Sequence, residues 1–140
     1  MSVFVVDSSV VVKWFVPEVH EAEALRVRDG GMPMHAPNFL DVEVGNILWK
    51  KMVRSELTRA AADDILAQLP RQAIIRHDLA GLLNEAFEIA SRTGRTVYDC
   101  LYLALAVQLG GRMVTADEKF VNSLAATPWA ASVLRLQDVP

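Results

Sequence analysis

Short, wholly apolar runs alternate along the chain with longer segments of helical period. Residues 3–6 and 112–116, carrying Val3-Phe4-Val5-Val6 and Met113-Val114-Thr115-Ala116, read as buried strands, and residues 73–75 and 133–136 as two more. Residues 32–36 form a short extended segment leading to Pro37. The intervening patterns predict helices over 8–15, 18–28, 39–54, 58–69, 79–93, 98–109 and 117–126. Pro17, Gly30-Gly31, Pro70, Gly94 and Gly110-Gly111 punctuate them, and Asn38, Thr58 and Asp78 stand where caps are expected. In the third helical pattern, 39–54, Leu40, Val44, Ile47 and Leu48 make an apolar stripe. The run 101–107 is apolar on every side, which predicts a helix buried between others. Strands alternating with helices predict an α/β fold, its parallel sheet covered on both faces. No repeat, linker or low-complexity stretch interrupts residues 1–140, so a single domain is expected.

The composition is 52% hydrophobic with a mean hydropathy of +0.23, so the apolar residues either fill a dense core or leave some surface for a partner. Asp7, Lys13, Asp99 and Gln108 break the most apolar runs well short of the roughly 18 residues of a membrane span, and no membrane association is expected. The amino terminus has no positive region ahead of its apolar run, which speaks against secretion. Cys100 is the single cysteine, fitting a reducing cytoplasm, and its apolar setting makes it core filler. A net charge of −3 is unlike that of a generic nucleic-acid binder, although acids gathered in one ion-binding site would leave the remaining surface near neutral.

Four acids stand at the ends of predicted elements. Asp7 closes the first strand, Asp117 follows the strand at 112–116, and Glu43 and Asp99 lie on helices able to swing a carboxylate to the same sheet edge, where open parallel sheets bind ligands. Each has an ordinary reading too. Asp7 and Asp117 are placed to cap helices, Asp99 is a normal first-turn charge, and Glu43 has Lys50 and Lys51 a little beyond the favoured spacing. Together they pose an electrostatic problem, because two unit charges about 4 Å apart repel by roughly 4 kcal/mol at an effective dielectric near 20. A hard cation such as Mg²⁺ or Mn²⁺ would offset this and suit phosphate-ester hydrolysis. Asn46 lies three residues after Glu43 on the same helix face. Asp41 and Glu118 point away and read as solvated charge, and His20, His35 and His77 are scattered and carry no assigned chemistry.

The segments Val6-Asp7-Ser8-Ser9-Val10-Val11-Val12-Lys13-Trp14-Phe15, Ala36-Pro37, Leu40-Asp41-Val42-Glu43-Val44-Gly45-Asn46-Ile47-Leu48-Trp49-Lys50, Tyr98-Asp99-Cys100-Leu101-Tyr102-Leu103-Ala104-Leu105-Ala106 and Val114-Thr115-Ala116-Asp117 resemble, in order, the PIN domain. They are most similar to the VapC toxins of type II toxin–antitoxin pairs. Cys100 departs from the alanine commoner in such runs. The resemblance implies a three-layer α/β/α sandwich with a parallel sheet of about five strands, and a Mg²⁺- or Mn²⁺-dependent endoribonuclease site. Its acidic positions fall on Asp7, Glu43, Asp99 and Asp117, and its supporting positions on Ser9, Asn46 and Thr115.

In that reading Asp7, Asp99 and Asp117 hold the metal, Glu43 ligates it or takes the proton of the attacking water, and the products carry 5′-phosphate and 3′-hydroxyl ends. The expected partners are a VapB-type antitoxin, an RNA substrate and a second copy of the chain in a homodimer. The antitoxin is expected beside Val11, Trp14, Phe15, Leu48 and Trp49, and the dimer along 39–54 and 58–69. Lys13, Lys50, Lys51, Arg54, Arg92, Arg95 and Lys119 are candidate RNA contacts. Two other readings compete: a haloacid-dehalogenase-type phosphatase, although Ser9 stands where that chemistry wants a second Asp, and a non-catalytic partner-binding module.

Overall fold

Phe4, Val5 and Val6 are all buried, so the strand they form, β1 (Phe4–Val6), is covered on both of its faces. In the computed structural model, which describes residues 2–140, β1 is central in a five-stranded parallel sheet. β2 (Met34–Pro37) and β4 (Arg112–Thr115) flank it. β3 (Ile74–His77) pairs with β2, and β5 (Val133–Arg135) with β4, giving the order β3-β2-β1-β4-β5. The chain thus runs outward from β1 to β3 and then returns to lay β4 on the other side of β1. At that reversal the carboxyl ends of β1 and β4 border a crevice.

The helices complete an α/β/α sandwich. They are α1 (Ser8–Val11), α2 (Glu21–Asp29), α3 (Leu40–Val53), α4 (Arg59–Gln68), α5 (Leu83–Thr93), α6 (Val97–Leu109) and α7 (Glu118–Ser123). Every residue of α6 from Cys100 to Ala106 is buried, and the helix packs on β1, β2 and β4 as the all-round apolar run requires. Gly110, at φ 67°, stops it. A Cβ at Gly111 would lie 2.4 Å from the Val3 carbonyl oxygen, so glycine is what lets the end of α6 meet β1.

Several expected boundaries move. The helix expected over 8–15 is α1 followed by a 3₁₀ turn, Val12–Trp14. The helix expected from residue 18 begins at Glu21, because His20 takes the left-handed conformation at φ 65°. Asn38 does not cap α3; its Nδ2 donates to Asp78 Oδ1 at 3.2 Å. Asp78 in turn caps nothing, since α5 starts only at Leu83. Thr58 does cap α4, its hydroxyl accepting the Ala61 N–H at 3.1 Å. The segment at 32–36, read only as extended, supplies β2 between β1 and β3.

Three other expectations change. His35 and His77 are not scattered: Nδ1 of one stands 2.8 Å from Nε2 of the other across β2 and β3. Asp41 is not merely solvated, because the Arg76 guanidinium binds both its oxygens and also donates to the Leu69 and Ile74 carbonyls, tying β3 to α3. Glu118 likewise accepts from the Gln137 amide.

Candidate active site at the carboxyl ends of β1 and β4

Asp7 leaves β1 and turns its side chain back to accept the Val10 N–H at 3.2 Å, so it caps α1 while standing in the crevice. The same Oδ1 accepts the Ser9 hydroxyl at 2.5 Å, and Oδ2 accepts the Thr115 hydroxyl, also at 2.5 Å. Both hydroxyls are themselves acceptors. Ser9 Oγ receives the Ala116 N–H, and Thr115 Oγ1 receives the Asp117 N–H, each at 3.1 Å. Two strand ends remote in sequence are therefore laced through one carboxylate. Burial pushes the Asp7 carboxyl up to about 6, against the pull of these donors, and the charge of Asp99 adds to the rise.

Thr96 caps α6 and sets Asp99 in its first turn. Burial raises the Asp99 carboxyl above the ordinary range, and the charge of Asp117 raises it further. Glu43 projects from α3 and accepts the Tyr102 hydroxyl at 2.5 Å; burial raises it too, with Asp99 again contributing. Asp117 caps α7 through Oδ1, which takes the Phe120 N–H at 3.1 Å, and gives Oδ2 to Arg95 at 3.0 Å. Asp99 is thus the hub, close enough to Asp7, Glu43 and Asp117 for their charges to interact. Asn46 is exposed and lines a groove of about 580 Å³ with Ser8, Glu43, Phe39, Ile47 and Tyr98.

All the donors facing this crevice are oxygens, which suits a hard cation, and three acids held above their usual range are a set that a cation would relieve. Among the described residues no three His, Cys, Asp or Glu side chains are arranged to hold an ion directly. An ion would then keep part of its water, as Mg²⁺ prefers.

The PIN domain model matches residues 4–123, spanning all four acids and both hydroxyls. The chain belongs to the PIN domain family. It is 34% identical over 124 residues to Ribonuclease VapC3 of Pyrobaculum aerophilum, covering 87% of this chain and 95% of that one. Ribonuclease VapC1 of Mycobacterium tuberculosis is 31% identical over 132 residues, 94% of this chain and 96% of its own. The crystal structure of PAE2754 from Pyrobaculum aerophilum superposes with a TM-score of 0.70 at 20% identity, over 97% of this chain and 90% of that one, and so shares the fold.

Two side chains of this PIN domain escaped the sequence reading of the site. Tyr102 was hidden in an apolar run, although its place three residues after Asp99 puts both on one helix face. Arg95 was grouped with surface cations. Of that group, Lys13 is buried, Lys51 pairs with Glu18 at 3.6 Å and Arg92 lies over the Trp129 ring, whereas Lys50, Arg54 and Lys119 are exposed. Tyr102→Phe should leave the fold intact and raise the Glu43 carboxyl further, since the lost bond favours its charged form. Carboxyl-carbon NMR titration reads this, and an unmoved Glu43 would show that the bond does not form in solution.

Proposed function

We propose that the chain is a VapC-type toxin, an endoribonuclease that hydrolyses RNA phosphodiesters with Mg²⁺ or Mn²⁺ and is restrained by a VapB-type antitoxin in the cytoplasm. The observation that carries this is the crevice between β1 and β4, where Ser9 and Thr115 fix the Asp7 carboxylate, Tyr102 holds Glu43 and Arg95 holds Asp117, with Asp99 in the first turn of α6 beside them. Relatives named as VapC ribonucleases over nearly the whole chain support it. Among the described residues, no helix is long and apolar enough to cross a membrane.

Asp7, Asp99 and Asp117 would hold the ion between them, in part through its own waters. Bound there, a divalent cation supplies Lewis acidity: it makes a water a better nucleophile and offsets charge gathering on the phosphate. Ser9 and Thr115 fix the Asp7 carboxylate from both sides. Glu43, raised by burial and steadied by Tyr102, is suited to accept the proton of the attacking water, and Asn46 flanks it. The products would carry 5′-phosphate and 3′-hydroxyl ends. The phosphatase reading loses its footing, because Ser9 spends its hydroxyl on Asp7.

The partner surface differs from the one expected. Val11, Trp14 and Leu48 are buried and Phe15 is half-buried; Trp14 donates to the Ala24 carbonyl at 2.8 Å. The groove beside Glu43, with Phe39, Val42, Ile47 and Tyr98 on its walls and Lys50 at its side, offers an antitoxin tail apolar contact next to the acids. On the dimer face Ala62, Ile65 and Leu69 are consumed by the core. Trp49, Val53 and Leu66 remain exposed, with Met52 between α3 and α4.

Purified protein should cut RNA with Mn²⁺ and stop in excess chelator; undiminished cleavage under chelation would end the metal reading. Light scattering should give about twice 15.5 kDa, falling to 15.5 kDa for Trp49→Asp, and a wild-type monomer would exclude the dimer.

A further inference from the structure

Asp117 has two carboxylate oxygens, and each accepts one hydrogen bond. Oδ1 is bound to the Phe120 N–H as the cap of α7, a bond the helix needs whether or not an ion is present. Oδ2 is the oxygen the helix does not use and so the freer one for a cation, and Arg95 Nη2 donates to it at 3.0 Å. The backbone beneath Arg95 is anchored. It follows Gly94, at φ 75°, and its N–H donates to the Thr93 hydroxyl at 3.2 Å.

The side chain above that anchor is held less completely. Its guanidinium lies over the Phe120 ring, 6.0 Å from the centroid. Its Nε is buried and finds no acceptor, and a buried donor without a partner carries a cost that another rotamer would relieve. The positive charge also reaches Asp99, the hub of the acids.

We propose that Arg95 is an internal counter-cation, occupying the Asp117 oxygen that a divalent ion needs, so that loading the site requires the guanidinium to swing away on its fixed backbone. The device keeps the metal-free crevice from carrying four uncompensated acids. It also weakens ion affinity, because each ion bound must first displace a charge already in place. This rests on the metal-dependent reading of the site.

The test is calorimetric titration of Mn²⁺ into wild type, Arg95→Gln and Arg95→Lys, each melted without metal beforehand. Arg95→Gln should bind Mn²⁺ on the order of 10-fold more tightly, within the usual range of coupling between competing ligands, and should melt lower without metal. Arg95→Lys keeps the charge but not the forked reach, so it should fold and bind with intermediate affinity; it decides the matter if the glutamine variant does not fold. Equal or weaker Mn²⁺ binding by the variants overturns the counter-cation while leaving the metal site standing. Absence of Mn²⁺ binding in all three proteins overturns the metal reading, and the counter-cation with it.

Discussion

Asp99→Asn abolishes RNA cleavage and at the same time makes the metal-free protein more resistant to unfolding: both changes are expected of the acid at the hub. Asp99 is the residue whose charge raises Asp7 and Glu43 and which is itself raised by Asp117. Removing it relieves repulsion with its neighbours, a gain that melting without metal will read as a higher midpoint. An ion-dependent site pays in the opposite direction. Loss of a group that merely supports a metal ligand already costs about 10- to 100-fold, so loss of a ligand should cost roughly 100-fold or more. Asparagine keeps the size of the side chain, and the Thr96 cap, made to the backbone of residue 99, survives. A variant that cleaves like wild type, or that melts lower without metal, would remove Asp99 from the centre of the site.

The second large effect is one of pH. Asp7 titrates at 3.8 in an ordinary setting and at about 6 in the fold, so the folded protein binds a proton that the unfolded chain releases between those values. The stability tied to Asp7 is therefore fully present below about pH 4, declines as pH rises towards 6, and is lost above it. The difference is about 3 kcal/mol, to order of magnitude. Glu43 and Asp99 are raised as well and act in the same sense. Asp7→Asn removes the largest part of this dependence. Its Oδ1 can keep the Val10 N–H and the Ser9 hydroxyl, and Thr115 can rotate to accept from the new amide. Denaturant titrations without metal should show wild type weakening from pH 4 to pH 7 while Asp7→Asn stays nearly level and becomes the more stable protein at pH 7. A wild type that strengthens over this interval would contradict a carboxylate whose charge is disfavoured by burial.

Runs such as Val3-Phe4-Val5-Val6 and Leu101-Tyr102-Leu103-Ala104-Leu105 announce the sheet and the buried helix directly, because burial on two or more sides leaves no polar alternation. The positions of Asp7 and Asp117 were legible for a related reason: a polar residue directly after such a run lies at a strand end. Capping, held as the rival explanation for both, turns out to coexist with a place in the crevice, since one oxygen of each carboxylate serves the helix. β2 was less legible because His35 and Pro37 dilute its apolar character, and its strand pairing comes from neighbours distant in sequence. The late starts of α2 and α5 depend on His20 at φ 65° and Gly81 at φ 87°, local backbone choices that periodicity does not encode. The bonds of Tyr102 to Glu43 and of Arg95 to Asp117 form only through tertiary placement, so spacing could set Tyr102 beside Asp99 but could not name either partner.

The position of β4 also governs when the protein can become active as it is made. β1 is synthesised before β4 but needs it as a neighbour, and the residues of β4, Arg112–Thr115, lie far along the chain from it. Until then one edge of β1 has no strand beside it, and Asp7 lacks the Thr115 hydroxyl 108 positions away. Synthesis is vectorial, at about 5–20 residues per second, so the crevice can close only after β4 has been made. A chain truncated before β4 would carry no assembled crevice and an open, apolar strand edge prone to pairing with other chains. The order of the strands thus withholds the assembled crevice from every copy that stops before β4.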